Sequence, residues 1–425
     1  MALTMARIVN LLFGVVILSL CLRWDGLNVA CLDLGSVQMA HPLVNPHGIC
    51  ATFVWSKGYD CSEFLVPTKD GFLLSVQRMS SRRFRTSHKE PAFLYHGIMQ
   101  GGEGWLLDEP KESLAFILAD SGYDVWIGNS RTTMFSYGHT TYNRNQRVHK
   151  HFSFPCLYVG LCRRGFDKTQ AQFGWVKMQE FWDWSWDDLV AFDVPAMLHF
   201  VHHMTQQPIY YVGYSQGAMS GFAAFTNNEI ASIVKKAAML SPVAYLNSVP
   251  SPLIRTAAFL FLDQVDLLLL HMYEFNPTSP EASQILQAAC RNVASNCRDL
   301  SSLVTGPTCC VNKSRTAYYD KYRQSTSTKN LAQLAQLLRS GRFGKYDYGF
   351  FGNLVKYWRI SPPSYDLSAI PERLTFFLAH GGRDKVADPE DVRHAGDELP
   401  GEVRILFKPN YDHEDFIHGT SSYVE

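Results

Sequence analysis

The chain has 425 residues, enough to bury a large core as one big domain or as a core carrying an insertion. Lys+Arg and Asp+Glu each total 39, so the net charge is zero and no basic footprint invites nucleic acid. Apolar residues make up 46% and aromatics 13%, which excludes disorder as the dominant state.

The N-terminus reads as a secretory leader. Arg7 precedes the mostly apolar stretch Ile8–Leu22 and Arg23 follows; the run is short for a membrane span and right for a signal h-region, with cleavage expected after Ala30. A signal anchor is the rival reading. A secretory route makes the cysteines candidates for disulfides: Cys50 and Cys61 flank one short segment, and Cys290, Cys297, Cys309 and Cys310 cluster in another. Zinc is the alternative for the cluster, but its spacings fit no common tetrahedral pattern. Asn312-Lys313-Ser314 is the sole glycosylation sequon and places the cluster at the surface.

Next in the chain, Ser62–Pro67 and Phe72–Met79 flank Thr68-Lys69-Asp70-Gly71, a hairpin signature. Strand candidates follow at Ala92–Tyr95, Tyr123–Ile127, Ile209–Tyr214, Ala237–Leu240, Leu374–Ala379 and Val403–Phe407, with helical stretches between them. That alternation predicts an α/β protein with a mainly parallel sheet, helices on both faces and the hairpin at one edge. Between Leu240 and Leu374 the rhythm changes: Pro252–Phe275 is apolar nearly all round and Lys329–Arg339 reads as a helix. Residues 244–345 are therefore expected to form a helical cap, with a separate second domain as the alternative.

The chemistry centres on Gly213-Tyr214-Ser215-Gln216-Gly217, which follows a strand and opens a helix. Strand, Gly-x-Ser-x-Gly and helix form a turn tight enough to thrust a serine hydroxyl outward. Serine needs a base, and the base an orienting acid. Asp384 follows the strand Leu374–Ala379; its rivals are Asp391 and Asp388, the latter reading better as a helix N-cap ahead of Pro389. His413, in the loop after the last strand, is the base candidate and His418 its rival. His96-Gly97-Ile98 follows the strand Ala92–Tyr95 and can aim the N–H of Ile98 at the serine; with the N–H of Gln216 it would make an oxyanion hole. His96 itself reads as a scaffold residue.

With these residues placed, the chain resembles the acid lipase family of gastric, lysosomal and plant triacylglycerol lipases, from about Asn45 to Gly419. The resemblance runs through Gly58–Glu63, Thr68–Gly71, His96–Ile98, Asp124–Arg131, Phe181–Trp186, Gly213–Gly217, Gly381–Asp384 with Ala387–Pro389, and His413-x-Asp415-Phe416. Cys309-Cys310 and Tyr346–Gly349 are most similar to the plant branch, as in triacylglycerol lipase 2-like proteins. It implies an α/β-hydrolase fold and a Ser215–Asp384–His413 triad that cleaves long-chain acyl esters such as triacylglycerol beneath a lid, via an acyl-enzyme intermediate. No cofactor or metal is implied. The partner would be a lipid ester at an oil–water or membrane interface, and the location extracellular, vacuolar or lysosomal. Alternatives are an esterase on steryl or other acyl esters, or a catalytically impaired form that only binds lipid.

Two features depart from the family pattern. Val148–Gln179, carrying Cys156, Cys162 and Arg163-Arg164, lengthens the usual spacing between His139 and Phe181; an in-frame intron with GT…AG ends would account for it, and a real surface loop is the rival. The chain also ends at Glu425, where family members continue into a further helix; its loss is expected to expose apolar sheet surface. The expected organisation is a leader at 1–30, a first core part at 31–243 containing the suspected insertion at 148–179, the cap at 244–345, and a shortened second core part at 346–425.

Overall fold

Eight strand segments form the path of the main sheet, in the order β1 (Asp60–Pro67), β2 (Phe72–Ser80), β4 (Asp124–Gly128), β3 (Pro91–Tyr95), β6 (Ile209–Tyr214), β7 (Val234–Leu240), β10 (Thr375–Gly381) and β11 (Val403–Lys408). The protein is seen here in a computed structural model that describes residues 42–43, 45–84, 90–142, 180–259, 273–280, 284 and 300–420. The expected leader, Val148–Gln179, Cys156, Cys162, Cys290 and Cys297 lie outside the described residues.

The hairpin β1–β2 is antiparallel, as is the β2–β4 junction, and every pairing from β4 to β11 is parallel. The hairpin closes where the N–H of Gly71 donates to the carbonyl of Thr68 at 3.1 Å, with Gly71 at φ +102°, a value glycine reaches without a Cβ clash. Seven of the eight expected strands match the sequence expectation to within two residues at each end. β7 starts three residues earlier than expected, at Val234, because the exposed Lys235 hides the apolar pattern at the sheet margin. The two-residue strands β5 (Gly138–His139, paired with β2), β8 (Glu274–Phe275) and β9 (Thr326–Ser327) carry no readable pattern.

Helices α1 (Leu114–Asp120), α2 (Val194–Thr205), α3 (Gln216–Phe225) and α7 (Pro389–Glu398) pack on the sheet: α1 on β2 and β4, α2 on β1, β3 and β6, α3 on β6, and α7 on β10. Successive strand residues alternate sides. Val125, Ile127, Val212 and Tyr214 meet Phe116 and Trp105 in one core layer. On the other side Tyr211 packs its ring against Phe93 and Phe225. This is the α/β-hydrolase architecture, with mainly parallel strands and their C-terminal ends aligned on one margin. Between β7 and β10 lie α4 (Pro252–Phe259), the β8–β9 pair, and α5 (Thr328–Ser340); α6 (Gly349–Tyr357) follows α5. A short helix, α8 (Asp415–His418), closes the last loop. At the β11 edge Phe377, Ile405 and Phe407 stay 38%, 50% and 48% exposed, on both sheet faces. Cys50 and Cys61 form a disulfide that ties the segment before β1 to that strand.

Candidate active site

Ser215 sits between β6 and α3 with φ 53° and ψ −115°, a backbone conformation that L residues rarely hold. Both glycines of the pentapeptide are needed for the turn. A Cβ on Gly213 would lie 2.7 Å from the N of Ala218, and one on Gly217 would lie 2.3 Å from the carbonyl oxygen of Tyr95. The second contact shows how closely the start of α3 is pressed onto the exit of β3.

The acid and base loops are locked together by backbone. The N–H of Gly382 donates to Lys408 O at 3.0 Å and that of Arg383 to Tyr411 O at 2.9 Å, while a Cβ on Gly381 would fall 2.1 Å from Tyr411 O. The glycine pair thus lets the loops leaving β10 and β11 touch. As a result Asp384 Oδ2 lies 2.9 Å from His413 Nδ1, and His413 Nε2 lies 2.8 Å from Ser215 Oγ. Asp384 Oδ1 also accepts from the N–H groups of Val386 and Ala387, both at 2.8 Å. An ionised Asp384 leaves Nδ1 of His413 as the donor and Nε2 as the acceptor of the Ser215 hydroxyl proton. The rivals stand apart. Asp388 caps α7 by accepting from the N–H of Glu390, Asp391 accepts from the N–H of Ser248, and His418 pairs with Asp108 at 3.0 Å.

The His96 turn lies against the elbow: a Cβ on Gly97 would lie 3.1 Å from that of Ser215. Gln216 is the first residue of α3, where a helix N–H has no intrahelical acceptor. His96 accepts from the N–H of Ser130 at Nε2, so its Nδ1 carries the proton donated to Gly97 O; burial holds its pKa down to about 4. Asn129 accepts from the N–H of Gly102 and donates to Ser75 O and Gln77 Oε1 of β2. Arg131 is fully enclosed and pairs with Asp193 of the segment before α2 and with Asp70 of the hairpin. The Asn129-Ser130-Arg131 run thereby ties β2, the hairpin and the segment before α2 together, with Ser130 holding His96.

Several further groups at the site, Tyr214, Ser241, Thr305 and Glu103 among them, carried no sequence signal for these contacts, because each partner lies far away in the chain. Tyr214 and Ser241 donate their hydroxyls to the carbonyl of His413. Thr305 O accepts from the N–H of both Lys385 and His413 at 3.2 Å, tying one segment to the acid and base loops. Asp415 gathers the N–H groups of Asp412, Cys309 and Cys310, and Cys309 and Cys310 are joined to each other as a disulfide. Their sulfurs are therefore not available as thiolate ligands. Burial beside Asp415 and Glu414 pushes the Asp412 carboxyl up to about 9. Glu103 is enclosed behind the His96 turn and pushed up to about 7 by burial; its Oε1 accepts from Gln324, while Oε2 has no hydrogen-bond partner among the described residues. The expected glycosylation residue Asn312 is exposed and accepts from the N–H of Ser314.

Ser215 and His413 are only 5% and 6% exposed, so the site is closed in this structure. An open cleft of about 600 Å³, walled by Asp183, Asp188, Lys329, Tyr348, Phe351 and Val355, lies beside α6, and Ser215 is not in its wall.

Residues 50–109 match the family description "Partial alpha/beta-hydrolase lipase region". Triacylglycerol lipase 1 of Arabidopsis thaliana is 36% identical over 377 residues, covering 88% of this chain and 87% of its own. The chain belongs to the acid lipase family. Triacylglycerol lipase 2 of the same plant is also 36% identical, over 88% of this chain and 84% of its own. Gastric triacylglycerol lipase of Rattus norvegicus, from the animal branch of that family, is 32% identical over 85% of each chain. Among the described residues, no helix is long and apolar enough to cross a membrane.

Proposed function

We propose that Ser215, His413 and Asp384 are the nucleophile, general base and orienting acid of a carboxylic ester hydrolase acting on long-chain acyl esters of the triacylglycerol type. The observation that carries this is the unbroken run of contacts from Asp384 through His413 to Ser215, at 2.9 and 2.8 Å, on three loops at one sheet margin. Membership of a family whose members include named triacylglycerol lipases supports the substrate class.

Ser215 Oγ attacks the ester carbonyl carbon as its proton moves to His413 Nε2, and the carbonyl oxygen becomes an oxyanion facing the N–H groups of Ile98 and Gln216. Collapse breaks the acyl C–O bond, and the departing alcohol takes the proton from His413. Water then attacks the acyl-enzyme, giving its proton to His413, and the acid leaves as the proton returns to Ser215. Asp384 holds the imidazole in the required tautomer and offsets the positive charge it gains. With Ser215 only 5% exposed, entry of substrate would require groups packed around it to move, as the expected 244–345 cap would allow. A leader at 1–30, with release to the extracellular space, vacuole or lysosome, fits the disulfides at Cys50–Cys61 and Cys309–Cys310.

The test is hydrolysis of a chromogenic long-chain ester by the wild type and Ser215→Ala. The expected loss is about a thousandfold or more in kcat; equal rates would reject the assignment.

A further inference from the structure

Helix α6 is built inside out. Its one buried side chain is Asn353, which accepts from the N–H of Tyr348 at 2.9 Å and donates to Asp347 Oδ1 at 2.7 Å and to Ile360 O at 3.1 Å. Its outer side is apolar. Phe351, Val355 and Trp358 follow the i, i+4, i+7 spacing of one helical face and are 79%, 82% and 90% exposed; Phe350, Leu354 and Ile360 flank them at 56%, 37% and 63%. The rings of Phe350, Phe351 and Trp358 alone present on the order of 400 Å² to water, in the range where the largest patch of a monomer is commonly functional. Trp358 closes the helix at φ 58°, ψ 28°, a left-handed conformation that a bulky side chain holds only under strain. A glycine there would cap the helix without strain, so this position favours display of the indole over local ease.

Charge points to what the face meets. Residues 348–365 contain Lys356 and Arg359 and no Asp or Glu; the nearest acids are Asp347 and Asp366 at its two ends, and Asp183 and Asp188 in the wall of the neighbouring cleft. Both cations are exposed beside the apolar side chains. Exposed aromatic rings with Lys356 and Arg359 among them suit the headgroup–acyl boundary of a lipid surface that carries negative charge. The face is also coupled to the site. Asp347 exchanges hydrogen bonds with Gln336 of α5, at 2.8 and 2.9 Å, and Asp187 accepts from both Tyr346 N–H and Gln333 of α5. The same helix carries Asn330, which is hydrogen-bonded to Gln216 beside Ser215.

We propose that the outer face of α6, centred on Phe351, Val355 and Trp358, is the surface by which this protein docks on a phospholipid-coated lipid particle. The proposal rests on the lipid-ester reading of the site, and it places docking outside the 244–345 segment expected to form the cap. Insertion of Trp358 would anchor α6, and through Asp347, Gln336 and Asp187 would set α5 against the interface.

The experiment measures adsorption and turnover separately. Wild-type protein is added to vesicles of phosphatidylcholine with and without phosphatidylglycerol, and to a triolein emulsion coated with the same lipids. The expected result is a blue shift of tryptophan emission and partition to both surfaces, stronger with phosphatidylglycerol. The triple variant Phe351→Ser, Val355→Ser, Trp358→Ser should lose about tenfold or more of that partition. Its turnover of a soluble short-chain ester should stay within about twofold of wild type, as for surface changes remote from the reacting groups. The pair Lys356→Glu, Arg359→Glu, which leaves the apolar face intact, should weaken only the phosphatidylglycerol-dependent part. Unchanged partition of the triple variant would overturn the proposal even with esterase activity intact. So would a wild-type dimer that the triple variant dissolves without change in adsorption, which would assign the face to a second copy of the chain. Loss of soluble-ester turnover by the wild type would instead count against the catalytic reading.

Discussion

Asn330 and Gln216 exchange side-chain amides: Gln216 Nε2 donates to Asn330 Oδ1 at 2.9 Å, and Asn330 Nδ2 donates back to Gln216 Oε1 at 3.2 Å. Both residues are buried, and Asn330 also donates to Thr326 Oγ1 at 3.0 Å. One amide belongs to α5 and the other to the residue whose N–H is proposed to face the oxyanion. Asn330→Leu would strand the Gln216 amide in a dry setting, at a cost of about 1–3 kcal/mol. The expected outcome is a fall in kcat of about tenfold with a smaller change in KM, because the loss falls on the transition state. Steady-state kinetics on a soluble ester checks it, and an unchanged kcat would remove Asn330 from the positioning of Gln216.

Gly306 has φ +110°, and a Cβ there would lie 2.0 Å from the carbonyl oxygen of Arg383 and 3.0 Å from the Cβ of Asp412. Gly306→Ala must therefore push the Asp384 loop and the His413 loop away from the segment whose Thr305 carbonyl joins them. Activity should fall about a hundredfold, since sub-ångström misplacement is costly in such sites. Thermal unfolding should be lowered as well. The variant's melting curve and kcat are read together; wild-type values for both would mean the two loops do not depend on this contact.

Burial raises Glu103 from its ordinary 4.5 to about 7, so the fold favours its protonated form. That contribution to stability is fully present below about pH 4.5 and is lost as pH rises to about 7. Glu103→Gln keeps an oxygen for Gln324 and abolishes the titration. The variant should match the wild type near pH 4 and exceed it at pH 8 by at most about 3 kcal/mol. Denaturant melts at the two pH values provide the check, and parallel curves at both would refute it.

The Cys50–Cys61 disulfide closes a loop of 11 residues in sequence and sits beside the buried Glu63, which accepts from the N–H of Cys50 at 2.7 Å. Replacing both cysteines by serine should cost about 2–3 kcal/mol. Because this staple lies at the far edge of the sheet from β10 and β11, kcat of the folded fraction should be unchanged. A drop in kcat without loss of stability would contradict that separation.

The meeting of Asp384, His413 and Ser215 was legible because each follows a strand whose apolar pattern is plain, and because the loop glycines announce tight turns. A Cβ on Gly213, Gly217, Gly381 or Gly382 would meet backbone within 3 Å, which is the physical content of those motifs. His96 read correctly as scaffold, since a histidine beside a turn glycine has backbone partners at hand. What could not be read depends on pairs distant in the chain: Asn330 with Gln216, Thr305 with His413, Glu103 with Gln324. A single amide or carbonyl gives no periodic signal. The exposed apolar face of α6 was not expected from the sequence. Asn353 is the reason, because a helix that buries a polar anchor and exposes its apolar side inverts the usual pattern.

β11, the strand that leads to His413, is also the least sheltered of the sheet path, with none of its six residues buried. With Phe377, Ile405 and Phe407 half open to water, β11 is a border where another apolar surface or strand would gain by settling. Whatever settles there presses on the two loops that hold the proposed acid and base, Asp384 and His413. Colloidal behaviour and catalytic competence are thus joined at one edge: a polar replacement at Phe407 that improves solubility would also be felt at the ring of His380, 5.1 Å away, four residues before the acid.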